Sequence, residues 1–147
     1  MGKSYDTLNE ILVVLFNEIM DIEEKAIITG EFRDISNNDM HIIEAVEACE
    51  PKNMSTIAKK LAVTMGTLTT TMNSLVKKGY VTRERSEEDR RVVYMSLTDK
   101  GKRAYKSHQA FHHEMIEAVV EGMSKEEKEI LVNSLNRLRG FFDRYKK

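Results

Sequence analysis

The chain has 147 residues, a length that makes one domain and buries a core without disulfides or a structural metal. Apolar residues make up 41% and charged residues 32%, and no run of about 18 apolar residues is present, which excludes a helical membrane protein. The net charge is −1, and the single Cys49 excludes an internal disulfide.

The N-terminus, "MGKSYDTLNE", turns acidic where a secretory signal would turn apolar, and Asp6 stands where a myristoylation signal needs Ser or Thr. The expected compartment is the cytoplasm. The near-neutral total hides a segregation. Residues 1–51 hold 3 basic and 12 acidic side chains (net −9), residues 52–106 hold 13 and 5 (net +8), and residues 107–147 hold seven of each. A basic middle segment in a neutral chain is the footprint of a polyanion-binding module.

A first helix is predicted from Asp6 to about Thr29, where Leu8, Ile11, Leu12, Leu15, Phe16, Ile19 and Ile22 recur at three-and-four spacing, and Gly30 ends it. Ser36 with Asp39 three residues on predicts a capping box for a second helix that stops before Pro51. Ser55 is the expected cap of a short helix burying Ile57, Ala58 and Leu61, and the next helix runs from Thr64 to Gly79. Two helices joined by so tight a turn make a helix-turn-helix candidate. After Gly79 the period falls toward two, predicting a β-hairpin with Val93, Met95 and Leu97 on one side. Thr98 is the expected cap of a helix reaching Gly122. Ser124 with Glu127 predicts a capping box for the last helix, where Leu131, Leu135, Leu138, Phe142 and Tyr145 repeat at heptad-like spacing. The fold class is therefore mainly α, a winged helix-turn-helix with a two-stranded β wing between long N- and C-terminal helices. Those helices carry more apolar surface than a winged core of about 60 residues covers, so a homodimer is expected.

In the second helix of the pair, Met65, Leu68, Met72, Leu75 and Val76 share one face and leave Gly66, Thr67, Thr70, Asn73, Ser74 and Lys77 on the other. Small hydroxyl and amide side chains let a helix lie close in the major groove, where Asn pairs with adenine and Thr offers a methyl to thymine. Such a polar face is also common on any surface helix. The hairpin discriminates: Arg85, Arg90 and Arg91 at a two-stranded tip suit phosphates and the minor groove, and Asp89 is placed to pin one of them by a bidentate pair. A surface salt-bridge cluster is the plainer reading, but such pairs contribute little to stability. No nucleophile with a base, phosphate-binding loop or metal-centre motif is present, so no enzyme is expected. A winged helix docking protein or RNA is the alternative of a different class, and the basic segment and wing arginines speak against it.

The stretch "LVKKGYVTRERSEEDRRVVYMSLTDKG" resembles the recognition-helix end and wing of the MarR family of dimeric winged-helix transcription regulators. The resemblance covers the chain as a single domain over 1–147. It implies a DNA-binding lobe at 36–98 and dimerisation helices at 5–29 and 99–145. It also implies repression at a pseudo-palindromic operator read by two recognition helices about one helical turn apart. By position, Arg90 would enter the minor groove, Asp89 and Arg91 would brace the wing, and Thr64, Thr67, Thr70, Thr71 and Asn73 would sit at the major groove. Ser55, Ser74, Lys77, Arg83 and Arg85 complete the expected DNA contacts.

"EFRDISNNDMHIIEAVE", "TMGTLTTTMNSLVKKGYVTRERSEEDRRVV" and "FHHEMIEAVVEGMSKEE" are further similar to the fatty-acid-biosynthesis repressors of Gram-positive bacteria within that family. That similarity implies acyl-acyl carrier protein as a corepressor that tightens DNA binding, and an apolar tunnel for the acyl chain. Its candidate lining is Leu12, Leu15, Phe16, Ile19, Met40, Ile43 and Phe111, though apolar residues at helical spacing usually just fill a core. The histidines suggest another effector. His108 and His112, one turn apart, can hold one metal if other helices add ligands, and Glu24 and His41 occupy positions resembling ligands of the family's zinc-responsive members. Hydrogen-bonded or pH-sensitive histidines in the dimer seam are the plainer reading. Cys49, between two glutamates in "EACEP", lacks the electropositive setting of a sensor thiol.

Overall fold

The computed structural model describes residues 2–27 and 30–146. The chain divides into two compact units, Met1–Gln109 and Ala110–Lys147.

The first unit opens with α1 (Lys3–Asn9), a π-helical stretch (Glu10–Leu15) and α2 (Phe16–Ile27). The sequence predicts one regular helix here; instead its turns widen over Glu10–Leu15. The apolar run Ile11–Phe16 spreads around the axis there, and it includes the β-branched Ile11, Val13 and Val14, whose side chains lose freedom in a regular helix. The expected end at Thr29 lies outside the described residues. A 3-10 turn at Gly30–Phe32 begins with Gly30 at φ 64°, a conformation suited to glycine.

The predicted capping box opens α3 (Asn37–Ala48): Ser36 Oγ accepts from the Asp39 N–H at 3.1 Å, and Asp39 Oδ2 accepts from the Ser36 N–H at 3.0 Å. In α4 (Met54–Leu61) the cap is Asn53, not Ser55. The Asn53 Oδ1 accepts from the Thr56 N–H at 2.8 Å and from the Ser55 hydroxyl at 3.1 Å, so the serine, already inside the helix, serves the cap without being it. The next helix starts where predicted: Thr64 caps α5 (Met65–Lys77), its Oγ1 accepting from the Thr67 N–H at 3.2 Å.

Strands β1 (Val81–Arg85) and β2 (Val93–Leu97) pair antiparallel, with Val81 opposite Leu97, Arg83 opposite Met95 and Arg85 opposite Val93. Thr98 then caps α6 (Asp99–Val120), its hydroxyl accepting from the Gly101 N–H at 3.0 Å. The boundary between the units falls within α6. In the second unit, α7 (Lys125–Asp143) is capped by Ser124, whose Oγ accepts from the Glu127 N–H at 3.1 Å.

The core of the first unit is the winged helix itself. Met40, Ile43 and Val46 of α3, Ile57 of α4, Leu68, Met72 and Leu75 of α5, and Tyr80, Val81 and Met95 at the sheet are all essentially removed from water. Cys49, as expected of an unreactive thiol, is buried. By contrast, Leu8, Ile11, Leu12, Val13, Leu15 and Phe16 of the N-terminal helices are exposed, and so are Ile130, Val132, Leu135 and Phe142 of α7. Among the described residues no helix is long and apolar enough to cross a membrane.

Candidate nucleic-acid interface

The turn between α4 and α5 is made by Ala62, which adopts the left-handed conformation (φ 55°), and by Val63, whose N–H reaches back to the Ala58 carbonyl at 3.1 Å. This sharp reversal projects the N-terminus of α5 outward. Leu68, Met72 and Leu75 face the core, while Thr67, Thr70, Asn73 and Lys77 are exposed and Thr71 and Ser74 are half-buried. Met65, placed by its spacing on the apolar face, is exposed instead, because it is the first residue of the helix and projects beyond the core. The hydroxyls of Thr69, Thr70 and Thr71 donate to the carbonyls of Met65, Gly66 and Thr67 at 2.7, 3.2 and 3.3 Å. Their protons are thus committed to the helix, and what they turn outward is methyl groups and oxygen lone pairs.

The wing closes with a compact tip. The Ser86 N–H donates to the Val92 carbonyl at 2.9 Å, and the Val92 N–H to the Asp89 carbonyl at 2.9 Å. Asp89 clasps Arg91 by the bidentate pair the sequence suggested: Arg91 Nε to Oδ1 at 3.0 Å and Nη2 to Oδ2 at 3.1 Å, with the Arg91 N–H adding a third bond at 3.1 Å. The Arg91 guanidinium holds the Asp89 carboxyl below the usual aspartate range. Arg85 Nη1 donates to the Arg90 carbonyl at 2.7 Å. Arg83 Nη2 donates to Asn73 Oδ1, tying β1 to α5. Arg90 differs: among the described residues its guanidinium has no hydrogen-bond or ion-pair partner, and it stands exposed at the tip. The wing therefore spends three arginines on its own geometry and presents the fourth.

An open cleft of about 330 Å³ lies between the start of α4, the side of α5 and the wing. It brings together Ser55, Asn73, Arg83, Arg85 and Arg91 from the predicted set, and adds Asn53, Met65 and Thr69, which sequence reasoning missed. The available signal for the first of these was that Asn is itself a preferred cap residue, two positions before Ser55.

The lobe is braced from behind. Tyr80, where α5 gives way to β1, is fully buried; its hydroxyl donates to Asp34 Oδ1 at 2.6 Å, and Lys100 Nζ sits 4.5 Å over its ring. Arg103 of α6 makes a bidentate pair with Glu31 at 3.0 and 3.1 Å, which holds the Glu31 carboxyl down.

The effector candidates are placed unevenly. Met40 and Ile43 are in the core of the lobe; Leu12, Leu15 and Phe16 are exposed, and Ile19 is half-buried. Phe111 is half-buried in the second unit. Of the histidines, His108 is buried, with Nε2 2.7 Å from Glu44 Oε1 and 3.2 Å from Glu23 Oε1. His41 Nδ1 lies 3.6 Å from the other Glu44 oxygen. Glu24, the predicted acid, is exposed, whereas its neighbour Glu23 is buried, one position away around the α2 face. Glu23 and Glu44 were missed because carboxylates are abundant in this acidic third. His112 follows His108 one turn on along α6, in the second unit.

A model of the MarR family matches residues 35–93, the span from the start of α3 to the returning strand. The chain is similar to a crystal structure of Streptococcus pneumoniae FabT in complex with DNA, at 40% identity and a TM-score of 0.83 over 96% of this chain and 99% of that one. It is 28% identical to the HTH-type transcriptional regulator SarZ of Staphylococcus haemolyticus, over 88% of this chain and 87% of the relative. It is likewise 28% identical to the HTH-type transcriptional repressor YetL of Bacillus subtilis, over 93% and 86%.

Proposed function

The chain belongs to the MarR family, and on that premise we propose that it is a homodimeric repressor that occupies a pseudo-palindromic operator. The observation that carries this reading is the division of labour on the wing. Arg83, Arg85 and Arg91 are held by Asn73, the Arg90 carbonyl and Asp89, while Arg90 alone of the four is presented, beside a helix whose exposed face is small and polar. In this reading α5 lies in the major groove with Thr67, Thr70 and Asn73 toward the bases. Arg90 enters the flanking minor groove, where narrow A·T-rich sequence deepens the negative potential. The exposed apolar side chains of the N-terminal helices and of α7 supply the contact between two copies. Two recognition helices then meet half-sites about one helical turn apart, and repression follows by occlusion of a promoter.

For the effector, the similarity of the quoted stretches to fatty-acid-biosynthesis repressors, together with the 40% identity to FabT, supports control of fatty-acid synthesis genes by an acyl ligand or acyl-acyl carrier protein. Tighter DNA binding with effector requires tighter effector binding with DNA, by linkage. A second reading, zinc, is supported by the connected His41, Glu44, His108 and Glu23 side chains, nitrogen and oxygen donors of the type zinc takes. In that case the metal would hold α2, α3 and α6 together, in place of the close histidine–carboxylate contacts these side chains now make.

Fluorescence anisotropy with a promoter-sized duplex tests the regulator. Specific binding appears as competition by operator well below the concentration needed for unrelated DNA or RNA. Equal competition by all three sinks the reading and favours a protein- or RNA-docking module. Native mass spectrometry of the purified protein distinguishes the effectors: a bound acyl chain supports the first, and zinc that disappears with His108→Ala supports the second.

A further inference from the structure

Resting on the reading of α5 as the helix that enters the major groove, we infer that Arg83 sets which base Asn73 reads. Arg83 stands on β1 opposite Met95, and its guanidinium crosses to α5 to donate to Asn73 Oδ1. A guanidinium carries donors and no acceptor, so only the oxygen end of the Asn73 amide meets it. The NH2 end is left to lead toward the groove.

An asparagine that pairs with adenine uses both ends of its amide: the oxygen accepts from adenine N6–H and the NH2 donates to N7. With the oxygen held by a cation, its second lone pair is crowded and drained of density, and the bidentate match to adenine is lost. What Asn73 offers instead is donors, which fit the edges whose acceptors have no donor beside them on the same base, guanine N7 and O6 or thymine O4, better than adenine, whose N7 is flanked by the N6–H2 donor. The rest of the face is complementary in kind. Thr69, Thr70 and Thr71 give their hydroxyl protons to helix carbonyls and keep lone pairs and methyls to offer, so beside these three acceptors Asn73 offers donors. Arg83 is in this view a positioning residue that acts through Asn73, in contrast to Arg90, which meets DNA itself.

Selection from a random-sequence duplex library, read by sequencing, tests this and needs no operator in hand. The wild-type chain should enrich half-sites with one position restricted to G or T on the contacted strand. Arg83→Met keeps the stem and loses the donors. It should admit adenine at that one position, changing its ratio to G or T by about tenfold, while the other positions keep their preferences. Asn73→Asp keeps the bond to Arg83 and removes the amide donors, so it should lose the G/T preference at the same position and turn toward cytosine, whose N4–H2 donates. Being a near-isosteric change at an exposed site, it also serves if Arg83→Met fails to fold. Arg83→Met or Asn73→Asp binding more weakly with an unchanged base preference at every position overturns the inference and leaves Arg83 a phosphate ligand. A wild-type chain that enriches no sequence overturns the operator reading and this inference with it, whereas an enriched operator with indifferent variants overturns this inference alone.

Discussion

The Tyr80 hydroxyl donates to Asp34 Oδ1 at 2.6 Å and so joins the residue that starts the wing to the loop that precedes α3. Burial, with the Asp34 carboxylate second, pushes the phenol up, so it remains a donor at any physiological pH; the same bond holds the Asp34 carboxyl below its usual range. Tyr80→Phe keeps the buried ring and removes only the donor. The Asp34 side chain is 45% exposed, so water replaces the lost bond and the expected cost is about 1 kcal/mol, read as a lower urea midpoint at neutral pH. Because the folded Asp34 titrates below its unfolded value, the contribution is full above the ordinary aspartate range and fades as the pH falls through the lowered value. The gap between wild type and Tyr80→Phe should therefore narrow in acid. A gap that stays constant across the titration would show that the carboxylate takes no part.

Two glycines on helices should respond to alanine with opposite signs. A Cβ on Gly101, in the first turn of α6, would stand 2.1 Å from the Tyr80 carbonyl oxygen, which already accepts from the Thr98 N–H at 3.0 Å. Backbone is on both sides of that contact, so nothing flexible yields. Gly101→Ala should destabilise by about 3 kcal/mol, as overpacking does, despite the better helix propensity of alanine. At Gly140 in α7 an added Cβ meets nothing within 4 Å, and Gly140→Ala should stabilise by up to about 1 kcal/mol. Thermal denaturation of the two variants beside wild type decides the matter.

The clasp between Asp89 and Arg91 bears on DNA and not on stability. Both side chains are exposed, 42% and 90%, and an ion pair so placed adds little to folding. Asp89→Asn should leave the melting temperature unchanged. It frees Arg91 to meet a phosphate, so log affinity against log salt should steepen by about one unit, and operator should be preferred less strongly over unrelated DNA. Since the folded carboxyl titrates below the usual range, the clasp should hold as the pH falls from 7 through the ordinary aspartate value. The wild-type salt slope should then be the same at pH 7 and at about pH 4, where an ordinary aspartate is half protonated.

What the sequence made legible was local. Ser36, Thr64, Thr98 and Ser124 mark helix starts because each cap reaches an N–H three residues on, and the two-residue period of the returning strand marks the wing because successive side chains point to opposite faces. At α4 two candidate caps stood two residues apart, and propensity does not separate Asn53 from Ser55; the position of the helix axis does. The π-helical turns at Glu10–Leu15 likewise depend on how a contiguous apolar run is shared around the axis, which a three-and-four count cannot express. The contacts that define the site were hidden further, since Arg83 finds Asn73, Tyr80 finds Asp34 and His108 finds Glu23 only after distant segments pack. The wing shows both sides of this: Asp89 with Arg91 was readable at a separation of two, whereas Arg83 could be read only as one more cation for phosphate.

Arg90 gives the sharpest test of the wing. Its guanidinium makes no bond to the described protein, so Arg90→Ala removes nothing that holds the fold, and the melting temperature should not move. Its backbone carbonyl still accepts from Arg85 at 2.7 Å, a bond that the substitution leaves in place, so the tip keeps its shape. Any change in DNA binding then belongs to the side chain alone. An arginine that displaces counterions in a minor groove contributes close to one unit to the salt slope, and more affinity where the groove is narrow. Arg90→Ala should thus flatten the slope by about 0.9 and weaken operators with A·T-rich flanks more than those with G·C-rich flanks. Arg85→Ala, measured in parallel, should instead loosen the tip and weaken both kinds of flank alike, because Arg85 acts through the Arg90 carbonyl. If Arg90→Ala leaves affinity and salt slope at wild-type values, the wing does not enter the minor groove and the arginines of the tip serve only the hairpin itself.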